Sequence, residues 1–343
     1  MHQVLRALLT HDRPLEQSMW RSFWDELRDG GLPSGEAVAL LASLSTRMPD
    51  HDGLSGFLRS LEERRPEAVT RLDDTVNIVG SGGGPHTFNI STAAAFTAAA
   101  MGVRVVKTGS RAYSGTCGSF DLLERLGIGL TGSYEQTTAT LEQFGLAFAG
   151  GFVYPRELTL LARRILPMEL RTLGGFINSI GPFLAAMPVS AQLVGVSDPA
   201  LLPSLRQFAA TVTDRRVWLC TNDLGIDELV SGVDNVIHTN EGLGEIHLRA
   251  TALGAEPGTI AELRPADPAE SVVEHFLDVL SGDRQDLAAR TVCLNAAAMA
   301  VASGLVSEWT QAVTTATDAL RGGAALDLVH RLRTHTAAAA GLR

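Results

Sequence analysis

Residues 75–107 read TVNIVGSGGGPHTFNISTAAAFTAAAMGVRVVK and indicate the architecture of the chain. They combine a β-prone run at Thr75–Val79, a glycine-rich loop, an alanine-rich helix from Ser91 and a second β-prone run at Val103–Lys107. Two short strands joined through a helix are typical of a βαβ unit, whose strands lie parallel in one sheet. The segment therefore predicts an α/β fold with a mainly parallel sheet flanked by helices.

The sequence on either side of this unit separates a helical part from an α/β part. Residues 1–70 carry apolar residues three and four positions apart, as amphipathic helices do. We expect helices at Leu15–Leu27, Ser34–Leu44, Leu54–Glu62, Ser271–Leu280 and Ala288–Ser303, another helix from Ser119, and strands at Leu146–Ala149, Gln192–Val196 and Arg216–Cys220. We predict a small all-helical domain at residues 1–70, with which later helices can pack, and a larger α/β ligand-binding domain at residues 71–343.

Composition excludes several classes of partner. The 343-residue chain has a formal net charge of -10, which argues against a broad surface for nucleic acid or an anionic membrane. Its longest small-apolar stretch, residues 91–103, is shorter than the ~18 residues of a membrane span. Cys117, Cys220 and Cys293 are far apart, and the first residues do not resemble an export signal. These features predict a soluble cytoplasmic enzyme.

The glycine-rich loop has the chemistry of a phosphate site. Four glycines lie among the five residues 80–84, so backbone N–H groups can approach an anion closely. The following helix would direct its N-terminal N–H groups to the same place, and Asn89, Ser91 and Thr92 add polar side chains. Ligands of open α/β sheets bind at the carboxyl ends of strands. A flexible turn before a capped helix remains the alternative at this stage.

A second loop and an acidic pair add candidate groups. Lys107 ends the second strand, and the polar loop after it leads to a helix start at Gly118–Ser119, so both could bind phosphate. Adjacent carboxylates at Asp227 and Glu228 could bind one hard cation such as Mg²⁺. Taken alone, Lys107 could equally be a solvated charge, and an Asp-Glu pair is more often a solvated surface pair.

Together these segments resemble the anthranilate phosphoribosyltransferase family. Residues 80–92 resemble its GTGGD…TFNIST segment, residues 107–121 its KHGNR…GSAD run, and Gly225–Leu229 its GlDE metal motif. Asn178 with Gly181-Pro182, and the helix at residues 290–297, also match. The resemblance covers nearly the whole chain. It implies Mg²⁺-dependent transfer of a phosphoribosyl group from 5-phosphoribosyl 1-diphosphate to a small aromatic or nitrogenous acceptor.

The resemblance also implies a role for individual residues. Those assigned to phosphoribosyl diphosphate binding are Gly80, Ser81, Gly82, Gly83, Asn89, Ser91, Thr92, Lys107, Ser114, Gly118 and Ser119. Those assigned to Mg²⁺ are Ser91, Asp227 and Glu228, and those assigned to the acceptor are Thr108, Ser110, Tyr113, Arg171 and Asn178. No residue is expected to act as an acid or base, because metal and backbone dipoles stabilise the departing diphosphate. A homodimer contacting through the N-terminal helices is implied as well.

Departures from the family pattern cluster on the acceptor side. The first loop is one residue shorter and lacks the aspartate after the glycines, and the family's His and Asn fall on Thr108 and Ser110. The family's Arg that holds the anthranilate carboxylate falls on Gly174, which cannot form a bidentate contact. Arg171 lies three residues upstream and is the nearest substitute. We therefore expect an acceptor other than anthranilate, which is compatible with a role in secondary metabolism.

Two other functions remain open on sequence grounds. Pyrimidine nucleoside phosphorylases share the fold and a stretch similar to Gly115–Asp121, but they use inorganic phosphate and need no Asp-Glu metal pair. Mg²⁺ dependence would therefore separate the two reactions. The second alternative is a non-catalytic homologue that binds a ligand or partner, which the altered first loop favours. Donor binding without turnover across a broad acceptor panel would support it.

Overall fold

The computed structural model describes residues 1–65, 71–111, 117–242, 244–253, 258–266 and 272–341. Four helices come first: α1 (Gln3–Thr10), α2 (Gln17–Arg28), α3 (Ser34–Thr46) and α4 (His51–Glu62). Their core is aromatic, because Trp20, Phe23, Trp24 and Phe57 contact one another through edge-on or stacked rings. These side chains are buried inside the chain itself, so the predicted homodimer stays a prediction that they do not support.

A single mixed sheet follows in the described residues. Its strands are β1 (Leu72–Gly80), β2 (Arg104–Lys107), β3 (Leu146–Phe148), β4 (Val189–Gly195), β5 (Arg216–Asn222), β6 (Asn235–Thr239) and β7 (Glu245–Leu248). They lie in the order β3-β2-β1-β4-β5-β6-β7. The first five are parallel, whereas β6 and β7 pair antiparallel. The predicted fold class, a small helical domain followed by a mainly parallel α/β domain, is confirmed.

Helices cover both faces of this sheet. They are α5 (Ile90–Ala100), α6 (Ser119–Leu126), α7 (Tyr134–Phe144), α8 (Arg156–Arg164), α9 (Leu170–Leu173), α10 (Gly175–Leu184), α11 (Leu202–Ala210), α12 (Val272–Leu280), α13 (Leu287–Ser303), α14 (Trp309–Arg321) and α15 (Ala324–Gly341). Three short 3-10 helices are Gly151–Val153, Ala250–Leu253 and Ile260–Leu263. Helices α5 and α13 are rich in buried alanine, whose small side chain lets helices pack closely. Among the described helices, none is long and apolar enough to cross a lipid bilayer.

The N-terminal helices share their hydrophobic cluster with later parts of the chain. Leu161 of α8, Phe176 of α10 and Leu205 of α11 belong to it, and the rings of Phe57 and Phe176 meet edge-on at 5.1 Å. Val194 of β4 also belongs to this cluster, which therefore packs against one face of the sheet. The predicted domain boundary at residue 70 adjoins residues 66–70, which lie outside the described residues, and it stays a prediction.

The topology brings four strand ends to one edge of the sheet. Because β1, β2, β4 and β5 are parallel neighbours, the segments that follow Gly80, Lys107, Gly195 and Asn222 all begin at the same edge. This edge is where open α/β sheets bind ligands. The loops that the sequence singles out therefore meet at one place.

Candidate active site

The loop after β1 is held in its conformation by hydrogen bonds from two directions. The Gly82 N–H donates to Asp227 Oδ2 at 2.7 Å, and Ser197 Oγ donates to the Gly82 carbonyl at 2.5 Å. Gly82 and Gly83 have φ values of 68° and 85°, in a backbone region that residues other than glycine adopt only at an energetic cost. The glycines thus allow a backbone that no β-carbon-bearing residue would adopt freely.

Asp227 lies directly against the ends of two neighbouring strands. A Cβ at Gly80, the last residue of β1, would overlap the Asp227 carboxylate. A Cβ at Gly195, the last residue of β4, would overlap the Asp227 backbone carbonyl. Both positions need glycine because an acidic residue is packed over the sheet edge.

Two asparagines position the acidic pair. Asn222, at the end of β5, donates through Nδ2 to the carbonyls of Ile226 at 3.0 Å and Glu228 at 2.8 Å. Asn295 of α13 accepts from the Leu229 N–H at 3.1 Å and donates to its carbonyl at 2.7 Å. The segment containing Asp227 and Glu228 is therefore fixed on both sides and is not a solvated surface pair.

The acidic pair fits a divalent cation. Burial raises the pKa of Glu228 well above its ordinary value, the neighbouring Asp227 raises it further, and burial also raises the pKa of Asp227. Neither carboxylate forms a salt bridge within the described part of the chain. A buried and a half-buried carboxylate without a paired cation are costly, and Mg²⁺ typically takes one or two carboxylates together with substrate phosphates. Ser91 lines the same cavity and offers a hydroxyl.

Lys107 places a buried amine at the same edge. It ends β2, is 3% exposed and donates through Nζ to the Ile78 carbonyl at 2.9 Å. Burial lowers the pKa of its amine to about 8, while Glu228 and Asp227 oppose that shift. A phosphate nearby would favour the charged form, so the amine is suited to neutralise an anion.

The loop after β2 is tied to the first loop and leads into a helix N-terminus. Asn89 Nδ2 donates to the Cys117 carbonyl at 3.3 Å, which joins the two loops. Helix α6 begins at Ser119, and Asp121 caps it by accepting from the Gly118 N–H at 3.0 Å. Arg111 forms salt bridges with Asp121 at 2.9 Å and with Glu124 at 2.8 Å.

These elements enclose one cavity of about 580 Å³, a size typical of small-molecule sites. The sequence-predicted residues that line it are Gly80, Gly82, Gly83, Asn89, Ser91, Lys107, Ser110, Gly118, Ser119, Asn178, Asp227 and Glu228. The structure thus brings together residues that are up to 148 positions apart, from Gly80 to Glu228. Their individual ligand contacts stay predictions.

Some predicted residues do not reach the cavity. Ser81, Thr92 and Thr108 are buried and do not line it. Thr108 Oγ1, for example, accepts a hydrogen bond from Asn77 Nδ2 at 2.8 Å. Arg171 is exposed and does not line the cavity, so the structure does not bring this predicted acceptor residue to the site. Tyr113 and Ser114 lie outside the described residues.

Sequence reasoning missed several residues that shape the site. Ser197 and Asn222 follow or end strands that the sequence predicts, so their position at the sheet edge was a usable signal. Tyr154, whose hydroxyl donates to the Gly109 carbonyl at 2.9 Å, carried no such signal. Neither did the wall of the cavity that α8, α9 and α10 supply.

Comparison with known proteins agrees with this geometry. Residues 72–326 match the glycosyl transferase family, a/b domain. Anthranilate phosphoribosyltransferase of Geobacillus thermodenitrificans is 31% identical over 309 residues, covering 89% of both chains. The enzyme of Hydrogenovibrio crunogenus is 31% identical over 344 residues, covering 96% of this chain and 97% of the relative. The chain belongs to the anthranilate phosphoribosyltransferase family. As a member of that family it is a glycosyltransferase of the pentosyltransferase type.

Solved structures show the same fold. The family member from Thermus thermophilus superposes with a TM-score of 0.81 at 27% identity, covering 98% of this chain and 99% of that one. The Saccharomyces cerevisiae enzyme in complex with PRPP and Mg superposes with a TM-score of 0.77 at 19% identity, covering 98% and 97%. The family architecture therefore extends over the whole chain, including the N-terminal helices.

Proposed function

We propose that the protein transfers a phosphoribosyl group from 5-phosphoribosyl 1-diphosphate to a small acceptor in this cavity. The observation that carries the proposal is the convergence of the two loops after β1 and β2 with Asp227 and Glu228. Backbone donors, a buried amine and an acidic pair are together what a metal-bound diphosphate needs. Membership of the family supports the same reaction.

Each part of 5-phosphoribosyl 1-diphosphate has protein groups suited to bind it. The N–H groups of Gly83 and of Ser119 at the α6 start would bind phosphate oxygens, and Lys107 would add a positive charge. The N–H groups of Gly82 and Gly118 already donate to Asp227 and Asp121 and help to shape the two loops. Asp227, Glu228 and Ser91 would hold Mg²⁺, which supplies charge neutralisation to the departing diphosphate. The Saccharomyces cerevisiae enzyme of the same fold, in complex with PRPP and Mg, supplies the choice of probe.

The reaction needs positioning more than covalent chemistry. The bond between the anomeric carbon and the diphosphate oxygen breaks, the acceptor nucleophile forms the new bond to that carbon, and the proton that the acceptor loses passes to the departing diphosphate or to water. Positive charge builds on the ribose while the backbone donors stabilise the negative charge of the leaving group. Asn222 and Asn295 act indirectly, because their hydrogen bonds hold the segment that carries the acidic pair. We assign no acid or base residue.

Calorimetric titration of 5-phosphoribosyl 1-diphosphate into the full-length protein, with Mg²⁺ or with EDTA, tests the proposal. We expect saturable binding that Mg²⁺ strengthens by at least about tenfold, or ~1.4 kcal/mol. Asp227→Asn should lose the Mg²⁺ effect while its melting temperature stays near that of the wild type. Equal binding with EDTA would refute the metal assignment. Phosphate-dependent nucleoside cleavage without Mg²⁺ would instead support the phosphorylase alternative.

A further inference from the structure

One wall of the cavity belongs to the helices that pack with the N-terminal cluster. The side chains that α8, α9 and α10 contribute to it include Leu158, Thr159, Ala162, Leu170 and Ile177. Four of the five are apolar, Thr159 supplies a hydroxyl, and Asn178 of α10 adds an amide. The loops after β1 and β2 contribute mainly glycine and polar residues to the lining. The cavity therefore has a phosphate-binding side and an apolar side.

The basic side chains of the lining all lie on the phosphate side. Among the described residues that line the cavity they are His86, Lys107 and Arg111, from the loops after β1 and β2. Arg111 is already paired with Asp121 and Glu124, and the Lys107 amine donates to the Ile78 carbonyl. The loop sequence at residues 112–116, AYSGT, contains no Lys or Arg.

The nearby arginines do not supply the missing charge. Arg163 and Arg164 end α8 and Arg171 lies in α9, yet none of the three lines the cavity. The backbone of Gly174 leaves no room for a longer side chain, because a Cβ there would press on the Leu170 carbonyl. Helices α8 to α10 thus present no cation to a molecule bound against them.

An acceptor that carries a carboxylate would be disfavoured on this wall. Moving an ionised carboxylate from water to an apolar surface costs far more than moving a neutral polar group, unless a cation or hydrogen-bond donors compensate. An uncharged body of similar size avoids this cost and gains from burial of its apolar surface.

We infer that the acceptor is an uncharged molecule, an apolar or aromatic body with a nucleophilic N–H group and no carboxylate. This inference rests on the proposed function, because it names the second substrate of the same site. Asn178 supports it: its Nδ2 donates to the Ser81 carbonyl at 3.1 Å, while its Oδ1 accepts no hydrogen bond within the described residues. That oxygen is suited to an acceptor N–H, and the Thr159 hydroxyl offers a second polar contact.

A matched pair of arylamines tests the assignment. Anthranilate and anthranilamide differ only in having a carboxylate or an amide, and each is titrated into the full-length protein with Mg²⁺ and inorganic diphosphate, so that no turnover occurs. We expect anthranilamide to bind at least about tenfold more tightly, or ~1.4 kcal/mol. Equal affinity, tighter binding of anthranilate, or no binding of either compound would overturn the inference.

A cation added to the wall should reverse the preference. Thr159 is exposed on α8, so Thr159→Arg places a guanidinium in the lining without disturbing the core. We expect anthranilate affinity to rise about tenfold while anthranilamide affinity changes less than about threefold. Thr314→Arg, an exposed position on α14, is the matched control and should leave both affinities unchanged.

The two proposals fail in different ways. If Thr159→Arg leaves the anthranilate affinity unchanged, the wall is not the acceptor site, whatever the donor does. If 5-phosphoribosyl 1-diphosphate does not bind but the protein still prefers anthranilamide to anthranilate, the proposed phosphoribosyl transfer is refuted. The assignment of the apolar wall as a binding surface is then retained. If the donor binds with Mg²⁺ and the arylamines bind equally, only the acceptor inference is lost.

Discussion

Gly195, the last residue of β4, lies so close to the Asp227 carbonyl that a Cβ would overlap that oxygen. Gly195→Ala should therefore push the acidic segment away from the sheet edge. We expect a loss of about 1–3 kcal/mol in the free energy of unfolding, as for overpacked cores, together with weaker donor binding. Urea unfolding followed by circular dichroism measures the first effect, and calorimetry measures the second.

The control for this prediction is another glycine-to-alanine change. Gly35 lies in α3 with no heavy atom within 4 Å of a Cβ placed there, and its φ is not positive. Gly35→Ala should leave stability unchanged or raise it by up to ~1 kcal/mol, since alanine favours helix. A Gly195→Ala protein as stable as the Gly35→Ala protein would show that the close approach is not rigid.

Lys107 is the only lysine in the sequence. Its buried amine is expected to favour binding of the phosphoribosyl donor and to lower the stability of the fold. Because burial lowers the pKa of its amine to about 8, the folded protein disfavours the charge that donor binding needs. Lys107→Met should raise the free energy of unfolding at pH 7 by about 1–3 kcal/mol and weaken donor binding at least about tenfold. Chemical denaturation and calorimetry on the same two proteins measure both quantities.

The unique lysine also permits a test on the wild-type protein. An amine-reactive reagent can label only Lys107 and the N-terminus, which mass spectrometry of the digested protein separates. Donor with Mg²⁺ should protect the Lys107 peptide and leave the N-terminal peptide labelled as before. Labelling of Lys107 that does not respond to the donor would contradict its assignment to the phosphate side.

At the scale of elements, Glu262 links a short 3-10 helix to the start of α13. Its carboxylate accepts from the N–H groups of Leu287 at 2.6 Å and Thr259 at 3.1 Å and from the Thr259 hydroxyl at 2.8 Å. These bonds lower its pKa to about 2. The same helix holds the first loop, because the Phe88 N–H donates to the Leu263 carbonyl at 2.9 Å.

This arrangement predicts a pH dependence of known sign. A carboxylate with a folded pKa below its unfolded value stabilises the fold above the unfolded pKa of about 4.5, and the stabilisation is lost as pH falls towards 2. Glu262→Gln should thus lower stability at pH 7 and flatten the acid loss between those values. Glu308→Gln, next to α14 without a capping bond, is the control and should keep the wild-type profile.

The elements with strong local signals were predictable from sequence, and those with interrupted patterns were not. The run Thr75–Val79 predicts β1, which the structure extends to Leu72–Gly80 through pairing with β4. Gly174, Gly175 and Pro182 break the helical pattern around α9 and α10. In β7 the alternation is weak, because this short strand at the sheet edge exposes polar side chains.

The candidate site was likewise only partly predictable from the sequence. The polar loops could be predicted because glycine spacing and strand ends show where they meet. Which side of the backbone each residue faces was harder: Lys107 and Thr108 are adjacent, yet only Lys107 lines the cavity. The apolar wall could not be predicted, since Leu158 and Ala162 are spaced as in any amphipathic helix.

At the scale of the whole molecule, the first loop is held from two sides. Asp227 holds it from the α/β part, and Asn178 holds it from α10, which packs with the N-terminal cluster. A Cβ at Gly82 would overlap the Asn178 amide, so this contact is also close. The ordering of the first loop should therefore depend on how the N-terminal cluster packs against the sheet.

Asn178→Ala tests this dependence. Loss of one hydrogen bond of about 1 kcal/mol should weaken donor binding roughly fivefold and speed amide hydrogen exchange in residues 80–87. Ser179→Ala is the control, because within the described residues the Ser179 hydroxyl donates only to the Gly175 carbonyl of the same helix, at 3.0 Å. If both variants leave exchange in residues 80–87 as in the wild type, Asp227 alone orders the loop. In that case the helical cluster contributes to the acceptor wall but not to the donor site.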